Sequence, residues 1–329
     1  MKDGSGGVLL LNLGGPETLA DVRPFLYKLF SDPEIIRIKN PLFRRMLAGV
    51  ISRTREKKSQ NLYRQIGGGS PLRRITELQA AALETALADE GIPARVYVGM
   101  LCGKPSIDEA FNNIEADDVR RLVLLPLFPQ YSKTATGACF RYVRAFVGRR
   151  KPAEKIEISF IEDWYKNPLY IDAITDTISA GLEHFSENER SDVHIFYSAH
   201  SLPERYIKEG DPYLDRTREC ISLINDQLKG RLNYDIDYSL AFQSKVGPVK
   251  WLKPSAENAL RFLARRGVRK VLAVPVSFVS DHIETLYELD IAYRNLAAKL
   301  GIMEFHRAES LNVHPKFVAA LAGIAKEKL

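Results

Sequence analysis

Hydrophobic and polar positions divide this chain into two alternating kinds of segment. Short, nearly continuous apolar runs lie at 8–13, 94–100, 121–127, 157–161, 192–198, 237–242 and 270–276. Runs of that length fit strands of a parallel sheet covered on both faces. Longer stretches with helical spacing lie between them, among them 77–89, 169–185, 215–228 and 256–265. Strand and helix in alternation predict βαβ units, hence an α/β fold built on mainly parallel sheet.

The pattern also occurs twice. Residues 119–128 (VRRLVLLPLF) match 268–277 (VRKVLAVPVS). Residues 95–105 resemble 237–248, each a strand running into a turn with Gly, Lys and Pro. Residues 8–17 resemble 193–204, each a strand ending in a small-residue turn and then Pro-Glu. All three matches keep one order, which predicts two similar α/β domains, each a parallel sheet flanked by helices, facing each other across a cleft. The turn-rich stretch 163–168 marks the boundary, giving domains at 1–162 and 163–310. A last helix, at about 311–329, is expected to pack back on the first domain.

Composition narrows the class. At 329 residues, 45% hydrophobic and 27% charged, this is an ordinary globular chain long enough for two cores. The net charge of +6 is spread out, apart from clusters at Arg44-Arg45, 53–58 and 149–151. That scatter excludes a dedicated nucleic-acid reader and leaves anionic ligands or an anionic membrane surface as partners. Cys102, Cys139 and Cys220 are far apart and form no C-x-x-C, so a reducing compartment without disulfides is expected. The start, residues 1–7, does not read as a signal peptide, and no apolar run approaches the ~18 residues of a membrane span. A cytoplasmic protein is the expectation.

Candidate chemistry gathers at strand ends. The run ending at Val279 leads into Asp281-His282-Ile283-Glu284-Thr285-Leu286-Tyr287-Glu288. Ser280 or Asp281 reads as the N-cap of a helix, with Glu284 completing a variant capping box. Glu284 and Glu288 then share a helix face. They form either a solvated acidic first turn or a path for a hard divalent cation. His200 follows the strand 193–196 at a carboxyl edge expected in the half opposite to Glu284, so that the two sites would converge across the cleft. An imidazole there suits a proton acceptor or a metal ligand. A serine-hydrolase reading fails because no G-x-S-x-G is present. The glycines of 63–71 and of Leu13-Gly14-Gly15-Pro16 lack a P-loop or dinucleotide fingerprint, and suit close backbone contact with a flat ligand. In 41–52, Leu42, Phe43, Met46, Leu47, Val50 and Ile51 share a helical face beside basic residues, which fits a core-facing helix or an interfacial one on anionic lipid.

Together these motifs resemble the ferrochelatase family. The resemblance rests on residues 11–18 (LNLGGPET), 63–71, 125–137 (LPLFPQYSKTATG), 198–203, 242–248 with Trp251-Leu252, and 280–286, in family order over nearly the whole chain. It implies two Rossmann-like domains with a porphyrin in the cleft. The implied activity is insertion of Fe²⁺ into protoporphyrin IX to give haem. His200 and Glu284 are the implied catalytic pair. Glu288, Asp281 and His282 join them as metal residues. Implied porphyrin contacts are Leu13, Arg55, Lys58, Ser70, Leu101, Cys102, Tyr131, Gln243, Ser244, Trp251 and Phe278, with Arg55, Lys58 and Ser70 near the propionates. Partners are then protoporphyrin IX, ferrous iron and haem, with peripheral contact to the inner face of an anionic membrane and no nucleic acid.

The chain departs from the family pattern at four places. Leu101-Cys102 stand where many members have Arg-Tyr, which puts rate or propionate preference in question. Ala292 ends the acidic row after Glu288. Lys133 stands where cluster-bearing members have Cys, so no [2Fe–2S] cluster and no tightly bound cofactor is expected. Leu13 is not the Tyr of coproporphyrin-using relatives, which favours protoporphyrin IX. Two alternatives remain at this stage: a related cobalt or nickel chelatase, and a porphyrin- or haem-binding paralogue without catalysis.

Overall fold

Two four-stranded, wholly parallel sheets carry the fold, which is the α/β class that the pattern predicts. The structure is a computed structural model and describes residues 5–150, 156–247 and 249–329. Residues 1–4, Lys151 of the last basic cluster and Pro248 of the second repeat lie outside the described residues.

The chain divides into two units. The first, Met1–Trp164 with Val318–Leu329, contains β1 (Ser5–Asn12), α1 (Val22–Ser31), α2 (Pro41–Arg64), α3 (Leu72–Asp89), β2 (Ala94–Met100), α4 (Ile107–Ala116), β3 (Val119–Pro126), α5 (Thr136–Arg150) and β4 (Glu157–Phe160). The second, Tyr165–Phe317, contains α6 (Pro168–Leu182), β5 (Val193–His200), α7 (Glu204–Lys208), α8 (Tyr213–Arg231), β6 (Tyr238–Gln243), α9 (Ala256–Arg265), β7 (Lys270–Pro275), a π-helix (Glu284–Tyr293), α10 (Arg294–Lys299) and β8 (Glu304–Arg307). Helix α11 (Pro315–Lys326) spans the chain boundary between them.

The sheet orders are β2-β1-β3-β4 and β6-β5-β7-β8, one topology used twice. Leu9, Leu10 and Leu11 in β1, and Ile195, Phe196 and Tyr197 in β5, have no exposed surface. Continuous apolar sequence is what a strand covered on both faces requires. The repeat can now be registered residue by residue. Leu11 pairs with Pro126 and Ser198 with Pro275, while Asn12 pairs with Met100 and Ala199 with Phe242. His200 is therefore the counterpart of Leu13, Gln243 of Leu101, and Ser244 of Cys102.

One sequence match is corrected by this register. Met100 N–H donates to Pro105 O at 2.8 Å, and Phe242 N–H donates to Pro254 O at 3.0 Å. Ser106 and Ser255 then cap α4 and α9 in the same way. Pro105 thus corresponds to Pro254, within Lys104-Pro105-Ser106 and Lys253-Pro254-Ser255, and not to Pro248. The second unit carries an insertion between Ser244 and this turn, and Trp251 lies on it.

Two further differences have simple causes. Strand β8 has no predicted counterpart, because four residues with only Phe305 deeply buried give too little alternation to read. The glycine loops contact the chain itself: a Cβ on Gly14 (φ +88°) would lie 2.8 Å from Gly103 N, and one on Gly69 would lie 2.0 Å from Glu17 O. At Gly14 and Gly69 the small size is required by packing between loops.

Candidate active site

The second sheet places chemistry at its carboxyl edge, the usual ligand edge of open α/β sheets. His200 is the last residue of the central strand β5, and its backbone is clamped on both sides. Its N–H donates to Ser277 Oγ at 3.0 Å, and its carbonyl accepts from Tyr213 Oη at 3.0 Å. Both partners are neutral polar residues with no periodic signature, so sequence reading passed over them. The side chain retains 40% exposure, and Nδ1 lies 2.9 Å from Glu284 Oε2. That hydrogen bond leaves Nε2 as the outward nitrogen. The two residues thus belong to one unit and one sheet edge, and not to opposite halves as expected, because β5 and β7 are neighbouring strands.

Glu284 begins the π-helix, and here the structure corrects the sequence. A capped α-helix is expected from 281 onward, with Glu284 closing a capping box. The observed helix has i→i+5 character, its N-cap is Ile283, and no side chain caps it. Glu284 is spent on His200 instead. Thr285, Leu289 and Tyr293 form the buried side of the helix. Glu284 and Glu288 are only partly buried. Widened turns of this kind are uncommon and concentrate at functional sites.

Gln243 braces the turn. Its Nε2 donates to Glu284 O at 2.8 Å and to Glu288 Oε2 at 3.1 Å, while its Oε1 accepts from Ser198 Oγ. Fully buried, it supports the carboxylates from behind and has no surface to offer a porphyrin, contrary to its expected role. Ser244, in the left-handed region at φ 66°, donates from Oγ to Glu288 Oε2 at 2.8 Å. Asp281 also departs from the expected metal set. Its Oδ1 accepts from Thr285 and Ser310 and its Oδ2 from Asn312, so both oxygens are occupied by protein donors. Among the described residues no three His, Cys, Asp or Glu side chains form a ready-made metal cage.

The charges form a graded series. Burial works against a charged His200, but the Glu284 carboxylate, by charge and hydrogen bond, and Glu288 outweigh it and hold the imidazole above its ordinary value. Burial also opposes ionisation of Glu284, yet His200, His282 and Ser244 pull it well below the usual carboxylate range. Glu288 goes the other way. Burial and the Glu284 charge push it up to about 7. Burial lowers His282 despite the nearby acids. Its Nδ1 faces Ser280 O at 3.1 Å, and a carbonyl can only accept, so Nδ1 carries the proton. Nε2 is then a lone-pair nitrogen 3.9 Å from Glu284 Oε2. Phe278 packs on His282 with centroids 4.6 Å apart and meets the His200 ring edge-on at 6.3 Å.

The remaining expected contacts divide by unit. Trp251 bridges to Pro203 in the second unit, and its indole N–H is buried without a hydrogen-bond partner among the described residues. Leu13, Arg55, Lys58, Ser70, Leu101, Cys102 and Tyr131 belong to the first unit. Arg55 lies over the Phe30 ring at 5.7 Å, and Lys58 is exposed. Ser70 N–H donates to Pro16 O at 2.7 Å, and Tyr131 is partly buried. Leu101 and Cys102 are packed into the apolar core around β1, β2 and β3, where burial pushes the Cys102 thiol up to about 12.

Comparison with known proteins gives the family and the fold. The ferrochelatase family model matches residues 5–329. A ferrochelatase from Gloeothece citriformis is 49% identical over 327 residues, covering 99% of this chain and 83% of the relative. One from Gloeobacter violaceus is 49% identical over 324 residues, covering 98% and 97%. In fold, the chain is similar to SirB from Bacillus subtilis with Fe³⁺, at TM-score 0.55 and 12% identity, covering 98% and 95%. It is also similar to the sirohydrochlorin chelatase SirB in complex with cobalt, at TM-score 0.53 and 13% identity, covering 98% and 95%. The chain belongs to the ferrochelatase family.

Proposed function

We propose that this enzyme inserts Fe²⁺ into protoporphyrin IX, releasing haem and the two pyrrole protons, with His200 and Glu284 as the reacting pair. The observation that carries the reading is the 2.9 Å His200–Glu284 contact at the sheet edge, with Glu288 behind it. Metal insertion needs a place for a cation and a sink for two protons, and a carboxylate-imidazole pair supplies both. In the resting site Glu284 keeps the proton on His200. A cation arriving at Glu284 would cancel that attraction, so that His200 gives up its proton to solvent by way of Glu288 and the neutral imidazole can then accept a pyrrole proton. Glu288, poised at about 7, is suited to take a proton onward. His282 Nε2 offers a further lone pair beside Glu284, and the metal set is His200, Glu284, Glu288 and His282 without Asp281. Phe278 supplies an apolar wall for the macrocycle.

Loss of protoporphyrin fluorescence with Fe²⁺, compared with Co²⁺ and Ni²⁺, tests the reading. Glu284→Gln should lower the insertion rate about 10²-fold or more with porphyrin binding retained. An unchanged rate in that variant overturns the assignment. Wild-type binding without insertion would favour a porphyrin carrier.

Helix α2 supports a peripheral membrane contact. Leu42 is 77% exposed, Met46 59% and Phe43 52%, whereas Ala48 and Ser52 are the residues buried beneath. The apolar face is therefore not core-facing, and exposed Arg45, Arg53 and Lys57 accompany it. Such a face suits an anionic lipid surface. No helix among the described residues is long and apolar enough to cross a membrane. Phe43→Ser with Met46→Ser should weaken co-sedimentation with anionic liposomes, and unchanged sedimentation would remove the lipid reading.

A further inference from the structure

Arg307 lies outside every motif that suggested chemistry, yet it holds both ends of the segment that carries the acids. It is the last residue of β8, and its side chain is 10% exposed. From there Nε donates to Asp290 Oδ1 at 3.0 Å and Nη2 to Asp290 Oδ2 at 2.9 Å, a two-pronged bond of the kind guanidinium makes best. Nη1 lies 3.1 Å from Asp281 Oδ1. Asp290 sits within the π-helix, and Asp281 just precedes it.

The spacing of those two carboxylates is informative. Asp281 and Asp290 are about two and a half α-helical turns apart in sequence, so a regular α-helix would point them to opposite sides. One guanidinium reaches both here because Asp281 lies before the helix and the turns that follow are wide. The rest of β8 and its following loop adds to the same clamp. Ser310 Oγ donates to Asp281 at 2.8 Å, and Asn312 exchanges two bonds with Asp281, at 2.9 and 3.0 Å. On the other flank Gln243 holds the Glu284 carbonyl.

We propose that Arg307 is a positioning residue: by bonding Asp281 and Asp290 together it holds residues 281–293 in the wide-turn form, and so sets where Glu284 and Glu288 point. This rests on the proposed function for its consequence, but the clamp itself can be tested without any substrate. Asp281 becomes an anchor of the clamp, which explains why its oxygens are all committed.

The experiment joins kinetics to amide exchange on the substrate-free protein. Arg307→Ala should speed exchange within Glu284–Tyr293 while β5, β6 and β7 keep their protection. It should also lower kcat for iron insertion on the order of 10- to 100-fold, the cost of a small misplacement of reacting groups, with the KM for porphyrin within about twofold. A kcat within twofold of wild type overturns the proposal, as does a loss of protection spread evenly through the sheet. Should Arg307→Ala fail to fold, Arg307→Lys keeps the charge without the fork. Faster exchange confined to the π-helix is expected there, and wild-type exchange overturns the proposal. A wild-type enzyme that inserts no iron would sink the proposed function, while the exchange result would still decide the clamp.

Discussion

The two sheets share strand order and register, yet their matched carboxyl edges have opposite chemistry. The first edge presents Leu13, Leu101 and Cys102; at the same three positions the second presents His200, Gln243 and Ser244. In the first unit the positions are apolar, and Leu101 and Cys102 complete a core. In the second, each is polar and each bonds, directly or through its neighbour, to the two glutamates. Topology thus supplies equivalent positions, and side-chain choice gives each edge its chemistry. The insertion after β6 and the π-helix after β7 then give the polar edge the parts that the apolar edge lacks.

The comparison is broken most sharply by giving the second edge a residue of the first. His200→Leu installs the Leu13 side chain and leaves Glu284 without its partner. Insertion should fall about 10²- to 10⁴-fold, the range lost with an acid–base group. Thermal unfolding should show a fold that persists, because His200 is half-exposed and its backbone clamps remain. Appreciable turnover in a porphyrin fluorescence assay would mean that the edge difference is not the catalytic one.

A smaller break follows from Gln243→Leu, which copies Leu101. It removes donors to the Glu284 carbonyl and to Glu288, and it strands the buried Ser198 hydroxyl. Urea unfolding should register about 1–3 kcal/mol of lost stability from the unsatisfied groups. Insertion should slow several-fold, with porphyrin affinity largely kept because Gln243 has no exposed surface. The converse change, Cys102→Ser, brings the Ser244 side chain into the apolar edge. A hydroxyl replacing a buried thiol should cost about 1–2 kcal/mol, with insertion within about twofold. A large kinetic effect there would restore Cys102 to the substrate contacts that the family resemblance implies.

How much of this was legible follows from what leaves a pattern. Seven strands are readable because burial on both faces forces apolar runs, and the repeat is readable because the same runs return in order. His200 and Glu284 are readable because each follows such a run directly. The π-helix leaves only a faint trace: its buried residues Thr285, Leu289 and Tyr293 follow a constant four-residue step. An α-helix mixes steps of three and four. Ser277, Tyr213, Asn312 and Arg307 could not be found, since tertiary packing alone brings them to the site. The glycine loops are ambiguous in the sequence, because close packing between loops and close approach to a ligand demand the same residue.

The finest test concerns the price of keeping a carboxylate next to a carboxylate. Glu288 has an ordinary value of 4.5 and sits at about 7 in the fold, raised by burial and by Glu284. Between those values the native state holds a proton that the unfolded chain releases, so this group's contribution to stability falls as pH rises, and the loss is complete above about 7. Glu288→Gln removes that loss while keeping an acceptor for Ser244. Relative to wild type, the variant should be no more stable at pH 5 and more stable, on the order of 1 kcal/mol, at pH 8. His200 and Glu284 are electrostatically coupled to Glu288, so the difference between the two proteins reads the three groups together. Leu101, which carries no titratable group, should give no such pH-dependent gain when substituted. Urea titrations at the two pH values check the sign, and a variant destabilised equally at both would show that Glu288 is not held against its charge.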